Sequence, residues 1–174
     1  NFSKLTYQKT FATMILTPLD PEQIVIGELF WGASKGTLSA IGVSLVAFAF
    51  GHIDSWKIVP AMIVIFISSF LFSALGMLVT SLVKNYEGII YPTSGLIVLM
   101  SLFAGTYFPL EQLPIWGRYL SYALPLTHTT RMVRGLLLGG VPWWQMLIHL
   151  AVLLLFTVVF TKISIKRISE KLIR

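Results

Sequence analysis

The sequence predicts an all-α integral membrane protein with four transmembrane helices and a pair of re-entrant helices on the outer side. Hydrophobic residues make up 56% of the chain and charged residues only 11%, whereas about 25% of residues are charged in a typical soluble domain. Four apolar segments reach or exceed the roughly 20 residues that cross a bilayer. The stretch between the last two is too polar for a span, which predicts the helix pair.

Residues 1–23 precede the first span and end in a turn that Pro18 and Pro21 define, because proline cannot continue a helix. Upstream of this turn, apolar side chains recur at helical spacing, at Tyr7, Phe11, Met14 and Ile15. This pattern predicts a short amphipathic helix that lies on the membrane or on a partner. A surface helix packed on its own protein remains an alternative.

The first two spans are predicted at residues 24–50 and 58–83. Glu28 and Lys35 lie seven residues apart on one face of the first span, where they either snorkel to the headgroups or line an inner vestibule. Pro60 is expected in the first turn of the second span. Small residues recur every four positions in the first span and predict close packing on another helix: Gly32, Gly36, Ala40 and Ser44.

The third and fourth spans are predicted at residues 89–108 and 143–165. Pro92 is expected to kink or loosen the first turns of the third span. In the fourth span His149 is interpreted as a hydrogen-bonded packing residue, because a lone histidine in a membrane helix seldom binds a ligand. A basic tail follows at residues 166–174.

The distribution of basic residues predicts the orientation. If both termini are cytoplasmic, Lys4, Lys9, Lys84 and the five basic residues from Lys162 onward lie inside, so eight are inside. Four then lie outside: Lys57, Arg118, Arg131 and Arg134. Because cytoplasmic loops are enriched in Lys and Arg, this arrangement is favoured over the reverse.

Residues 109–142 separate the last two spans and are too few for two further crossings. The first short helix is expected from Pro114 to Leu124. The second is expected to start after Pro125, with Thr127 as its cap, and to stop at Gly139 and Gly140.

His128, Arg131 and Arg134 follow one another at spacings of three on the second short helix, and therefore project from one side. Guanidinium groups bind phosphate and carboxylate in a bidentate manner, so this side is suited to anionic lipid headgroups or an anionic exported substrate. The alternative is that the arginines bond helix-end carbonyls or snorkel to the interface.

No catalytic or metal-binding pattern is present in the sequence. Residues 27–34 have the glycine spacing of a phosphate-binding loop, but Ala33 stands where that loop needs lysine. The chain has no cysteine and no carboxylate cluster suited to a metal. We therefore expect no cofactor on this chain, and any nucleotide chemistry must belong to another one.

Several motifs resemble one family of membrane proteins. They are Thr17-Pro18-Leu19 with Ile26-Gly27-Glu28, then Phe108-Pro109 with Leu113-Pro114, then Pro125-Leu126-Thr127 with Arg131. In their order along the whole chain, these motifs resemble the type 2 ABC transporter permeases, especially the branch of nodulation-factor and drug exporters.

The resemblance implies a six-span permease of the bacterial inner membrane, of which this chain holds spans three to six. It also implies dimerisation, most simply as a homodimer, and binding of ATP-binding cassette subunits that carry ATP and Mg. Residues implied to couple to the ATPase are Tyr7, Thr10, Phe11, Met14, Leu16 and Pro18. Residues implied for the substrate path or exit gate are Glu28, Lys35, Tyr107, His128, Arg131 and Arg134.

One departure concerns the coupling segment, where relatives often carry an acidic residue and this chain has Gln8 and Lys9. The function implied is outward transport of an amphiphile, such as a lipid-linked or acylated saccharide or a drug. Two alternatives are a non-transporting assembly subunit and a membrane enzyme that uses His128, Arg131 and Glu111 on lipid-linked substrates.

Overall fold

The computed structural model describes residues 20–51, 55–83, 86–107 and 112–173. Over these ranges the chain forms six α-helices and no strand, which confirms the predicted all-helical class. The helices are α1 (Pro21–Ala49), α2 (Ser55–Leu82), α3 (Tyr86–Phe103), α4 (Ile115–Tyr122), α5 (Pro125–Leu138) and α6 (Trp143–Ile173).

Three of these helices are long and apolar enough to cross a membrane, by length and composition. They correspond to the first, second and fourth predicted spans. The third predicted span forms the shorter helix α3, which ends five residues earlier than expected. The chain turns directly after Phe103 because Gly105 adopts a φ of 73°, in the left-handed region that favours glycine.

The other long helices extend beyond the expected boundaries. α1 begins at Pro21, which was predicted to belong to the turn, because a proline at the first helical position loses no hydrogen bond. α2 begins at Ser55, so Pro60 lies inside the helix and not in its first turn. α6 continues through the basic tail to Ile173.

α2 is the central helix and packs against α1, α3, α5 and α6. The part of α2 that ends at Leu71 meets α5 and the first half of α6 around a buried cluster of Val64, Leu71, Met132 and Leu153. The second half of α2 meets the start of α1 and the end of α6 around Ile24, Val25, Leu29, Ala74, Met77 and Ile168. The start of α1 and the end of α6 therefore share one end of the bundle, and α5 lies towards the other.

Small residues bring α1 and α2 into close contact. A Cβ placed on Gly36 would lie 2.6 Å from the Oγ of Ser69, and one on Gly32 would overlap Ser73. Ala40 and Ser44 follow on the same side of α1 and are half-buried. The backbones approach here because neither glycine carries a side chain.

Hydroxyl groups add hydrogen bonds between α2 and its neighbours. The buried Oγ of Ser164 in α6 donates to the carbonyl oxygen of Ala74 at 2.8 Å. The Oγ of Ser68 lies 2.9 Å from the Oγ1 of Thr129 in α5. Such bonds contribute on average about 0.6 kcal/mol in membrane proteins, so they orient helices that packing already holds together.

Candidate functional site

Two short helices, α4 and α5, occupy the stretch between the third and fourth predicted spans. α4 starts after Pro114, and α5 begins at Pro125. The prediction that Thr127 caps α5 is wrong, because Pro125 already takes the first helical position and Thr127 is buried inside the first turn. α5 ends where Gly139 and Gly140 adopt φ values of 78° and 85°.

α4 is attached to the end of α3. The Oγ of Ser121 is buried and lies 2.6 Å from the carbonyl oxygen of Phe103. The Trp116 and Phe103 rings are 6.0 Å apart between centroids. The last turn of a helix leaves carbonyl groups without intrahelical partners, and the Ser121 hydroxyl satisfies one of them.

A buried histidine pair joins α5 to α6. The Nδ1 atoms of His128 and His149 lie 2.7 Å apart, and the Nε2 of His128 lies 2.9 Å from the carbonyl oxygen of Tyr122. A carbonyl only accepts hydrogen bonds, so the Nε2 of His128 carries the proton. In the neutral ring Nδ1 is then an acceptor, and His149 must donate to it from its own Nδ1.

The surroundings of His128 favour its neutral form. Burial lowers the pKa of His128 below its ordinary value of 6.5, because an imidazolium loses its hydration there. The hydrogen bond to Tyr122 raises the pKa and the guanidinium of Arg131 lowers it, both to a lesser degree. A neutral His128 at pH 7 agrees with the tautomer that the Tyr122 carbonyl requires.

The two predicted arginines of α5 have different environments. The guanidinium carbon of Arg131 lies 4.8 Å from the centroid of the Tyr122 ring, in a cation–π contact. Arg134 is exposed, and its guanidinium donates to the carbonyl oxygen of Thr106 at 3.2 Å. Arg134 thus donates to a carbonyl just beyond the end of α3, in line with the alternative that the arginines bond helix-end carbonyls, and its side chain remains exposed.

The other residues predicted for the substrate path or exit gate do not lie near α5, apart from Tyr107, which is exposed next to Thr106. Glu28 is buried in α1 next to the cluster that includes the end of α6. Lys35 is exposed, with its Nζ 4.8 Å from the centroid of the Trp31 ring. The six predicted coupling residues, Tyr7, Thr10, Phe11, Met14, Leu16 and Pro18, lie outside the described residues.

Sequence reasoning missed the contact between His128 and His149, since it treated each histidine separately. The signal was the Gly139–Gly140 turn between them, which makes α5 and α6 an antiparallel hairpin. Gly135 permits the close approach, because a Cβ there would lie 2.8 Å from the Cε of Met146. Within the described ranges, no three His, Cys, Asp or Glu residues converge as a metal site would need.

A bundle of long apolar helices with a short helix pair between two of them defines a multi-pass membrane protein. Its sequence matches, over residues 4–166, the family described as "ABC-2 family transporter protein". The chain belongs to this ABC-2 family of transporter proteins.

Curated relatives support the same assignment. The chain is 32% identical to Nodulation protein J of Rhizobium leguminosarum bv. viciae over 173 residues, which is 99% of this chain and 66% of the relative. It is 31% identical to Nodulation protein J of Rhizobium meliloti (strain 1021), over 91% of this chain and 60% of the relative. The chain thus spans slightly less than two thirds of these relatives. No solved structure matches it.

Proposed function

We propose that this chain is the translocating part of an ATP-driven exporter whose ATP is hydrolysed by a separate subunit. The arrangement of the bundle supports this proposal most directly. The start of α1 and the basic end of α6 share one end, which suits a docking site for an ATPase. α5 contacts the part of α2 nearer its start, and with α4 attached to it the pair can close or open an exit there.

The protein is proposed to lie in the cytoplasmic membrane of a bacterium, with the end of α6 and both termini on the cytoplasmic side. The basic residues from Lys162 onward support this orientation, since positively charged segments stay on the cytoplasmic side. The α4–α5 pair then faces outward.

The orientation predicts the labelling of two cysteine variants. Lys84→Cys is expected to react with a membrane-impermeant thiol reagent only from the cytoplasmic side, and Leu113→Cys only from the outside. Reaction is measured in intact cells and in inverted vesicles of cells that express the full-length permease without other cysteines. Labelling of both positions from the same side would contradict the proposed orientation.

The partners proposed are an ATP-binding cassette subunit and a second copy of the permease. ATP and Mg are assigned to the ATPase, and this chain is proposed to hold no cofactor. Exposed apolar side chains of α1 and α3 are available for the second copy or for lipid: Leu38, Val43, Leu45, Ile97, Val98 and Leu99. A homodimer is proposed because, in a dimer with two-fold symmetry, the same surface of each copy forms the interface.

The proposed substrate is an amphiphile, such as a lipid-linked or acylated saccharide or a drug. Exposed aromatic side chains lie on and beside α4, at Tyr107, Trp116 and Tyr119. Such rings are suited to the boundary between headgroups and acyl chains. Arg131 and Arg134 stand beside them and are proposed to attract an anionic group of the substrate as it leaves.

Replacing both arginines by alanine is expected to lower export several-fold while assembly with the ATPase is retained. Assembly is expected to survive because the guanidinium groups contact the Tyr122 ring and the Thr106 carbonyl, not the core of the bundle. Export is expected to fall because the anionic group of the substrate loses the two guanidinium groups proposed to attract it. Export rate and recovery of the complex are measured together. Arg118→Ala, on α4, is the matched control for lost positive charge. Normal export by the double variant would return both arginines to a purely structural role.

The alternative function is that of a non-transporting assembly subunit, which could use the same fold. The two functions differ in how ATP hydrolysis responds to a transported compound. We expect amphiphiles, and not small ions, to raise the ATPase rate of the full-length permease reconstituted with its partner. A rate that no amphiphile changes, in a complex that remains intact, would favour the assembly subunit.

A further inference from the structure

We propose that His128 and His149 form a proton-sensitive latch, which holds α5 against α6 while both rings are neutral and releases it when the pair takes up further protons. The proposal concerns the attachment of α5 and does not depend on the direction or substrate of transport. It rests on the contact between the two rings, the hydrogen bond to Tyr122 and the nearby charge of Arg131.

The neutral pair has a fixed proton arrangement. His128 donates from Nε2 to the Tyr122 carbonyl, and its Nδ1 accepts from the Nδ1 of His149 across 2.7 Å. At this distance only one proton fits between the two Nδ1 atoms. The contact therefore joins α4, α5 and α6 through a single chain of hydrogen bonds.

Each further proton weakens this arrangement. A first proton on the Nδ1 of His128 makes that nitrogen a donor, so neutral His149 must shift its own proton to Nε2 to accept from it, and a buried cation is left beside Arg131. A second proton sets two N–H groups against each other. A proton on the Nε2 of His149 leaves the hydrogen bond in place but creates a second cation near Arg131. Both rings are buried, His128 with 5% and His149 with 6% of its surface exposed, so water cannot screen the charge well.

Among the described residues, the segments of α2, α3 and α6 around the pair carry no carboxylate. The ionisable groups recorded beside the pair in this part of the chain are Arg131 of α5 and the Tyr122 ring of α4. α2 has no charged residue from Ile58 to Val83, and α3 has none from Ile90 to Tyr107. From Trp143 to Thr161, His149 is the one ionisable residue of α6. Protonation thus adds positive charge to a site that already holds a guanidinium.

The sign of the pH effect follows from these contacts. Burial lowers the pKa of His128 below 6.5 in the docked state, while a released ring regains its ordinary value. As the pH falls below about 6.5, the released state takes up a proton that the docked state resists. Docking of α5 is therefore complete at neutral pH and weakens progressively towards pH 5.

The latch is tested by distance measurements in the full-length permease in lipid vesicles. Spin labels on cysteines at Ala123, between α4 and α5, and Leu155, on α6, report the attachment of α5; both positions are exposed. Pulsed electron paramagnetic resonance is expected to show one distance at pH 7.5 and a growing longer component by pH 5.5. Labels at Ile63 of α2 and Leu155 provide the control pair, for which no change is expected.

The variant that decides the mechanism is His149→Asn. An asparagine amide can donate to a neutral His128, as His149 does, but it cannot take up a proton, so the variant holds one titrating ring where the unsubstituted protein holds two. We expect the longer component to be smaller in this variant than in the unsubstituted protein at pH 5.5. Two results would overturn the latch: a single unchanged distance in the unsubstituted protein, or an equal pH response in His149→Asn. If the variant fails to fold, histidine ring ¹⁵N spectra of the unsubstituted protein decide instead, since the latch requires one Nε2–H and one Nδ1–H tautomer.

Discussion

Replacing Gly32 by valine is expected to force α1 away from α2 and to prevent recovery of a folded permease. A Cβ at position 32 would overlap the Oγ of Ser73 and lie 3.0 Å from its Cβ, which belongs to the rigid base of that side chain. Overpacking of this kind costs about 1–3 kcal/mol per site. Gly32 also lies beside the cluster that joins α1, α2 and α6. Recovery of monodisperse protein after detergent extraction and its melting temperature measure the effect.

Gly42→Val is the matched control for this substitution. Gly42 lies on the same helix and is exposed, and a Cβ there meets no atom within 4 Å. The control is expected to be recovered at the normal yield, since no atom of this chain lies where the first side-chain carbon of the valine would stand. Equal losses for both variants would show that valine is harmful anywhere in α1, and equal stability would contradict the close contact of α1 with α2.

Replacing Phe11 by aspartate is expected to abolish recovery of the ATPase with the permease. Phe11 lies outside the described residues, and the expectation rests on the apolar spacing upstream of Pro18 together with the coupling role that the family implies. A carboxylate in an apolar contact loses its hydration without gaining a partner, which costs several kcal/mol. Purification of a tagged full-length permease, followed by quantification of the bound ATPase, measures the effect.

Gln8→Asp introduces the same charge where relatives often carry an acidic residue, and it serves as the control. Met14→Asp is expected to behave like Phe11→Asp, because the two residues belong to one apolar stripe. Unchanged recovery of the ATPase with Phe11→Asp and Met14→Asp would remove this segment from the coupling contact. Loss with all three variants would indicate that the segment tolerates no added negative charge.

The class of the fold and most helix positions could be predicted from the sequence, because a bilayer imposes a simple length and polarity rule. The small residues at positions 32 and 36 indicated a close helix contact, and the structure places them against Ser73 and Ser69 of α2. The partner helix was not predictable, since small residues specify that a surface packs and not which surface it meets.

The end of α3 and the contact between the two histidines could not be predicted from the sequence of one segment taken by itself. Residues 104–108 are apolar enough to extend a span, and only the φ of Gly105 shows that the chain turns there. His128 and His149 are in contact because the chain turns at Gly139–Gly140 and because Gly135 has no side chain to keep the two helices apart. The first feature is a backbone conformation and the second a tertiary contact, so hydropathy alone could not reveal them, although the Gly139–Gly140 pair did signal a hairpin of α5 and α6.

Vectorial transport by the full-length permease with its ATPase in liposomes tests the central claim most directly. ATP is supplied only on the side that bears the basic end of α6, and a fluorescent amphiphile is followed on both sides. The expected result is ATP-dependent movement of the amphiphile away from that side, which stops when ATP hydrolysis is blocked. Hydrolysis of ATP without net movement, or movement towards the basic end, would contradict it.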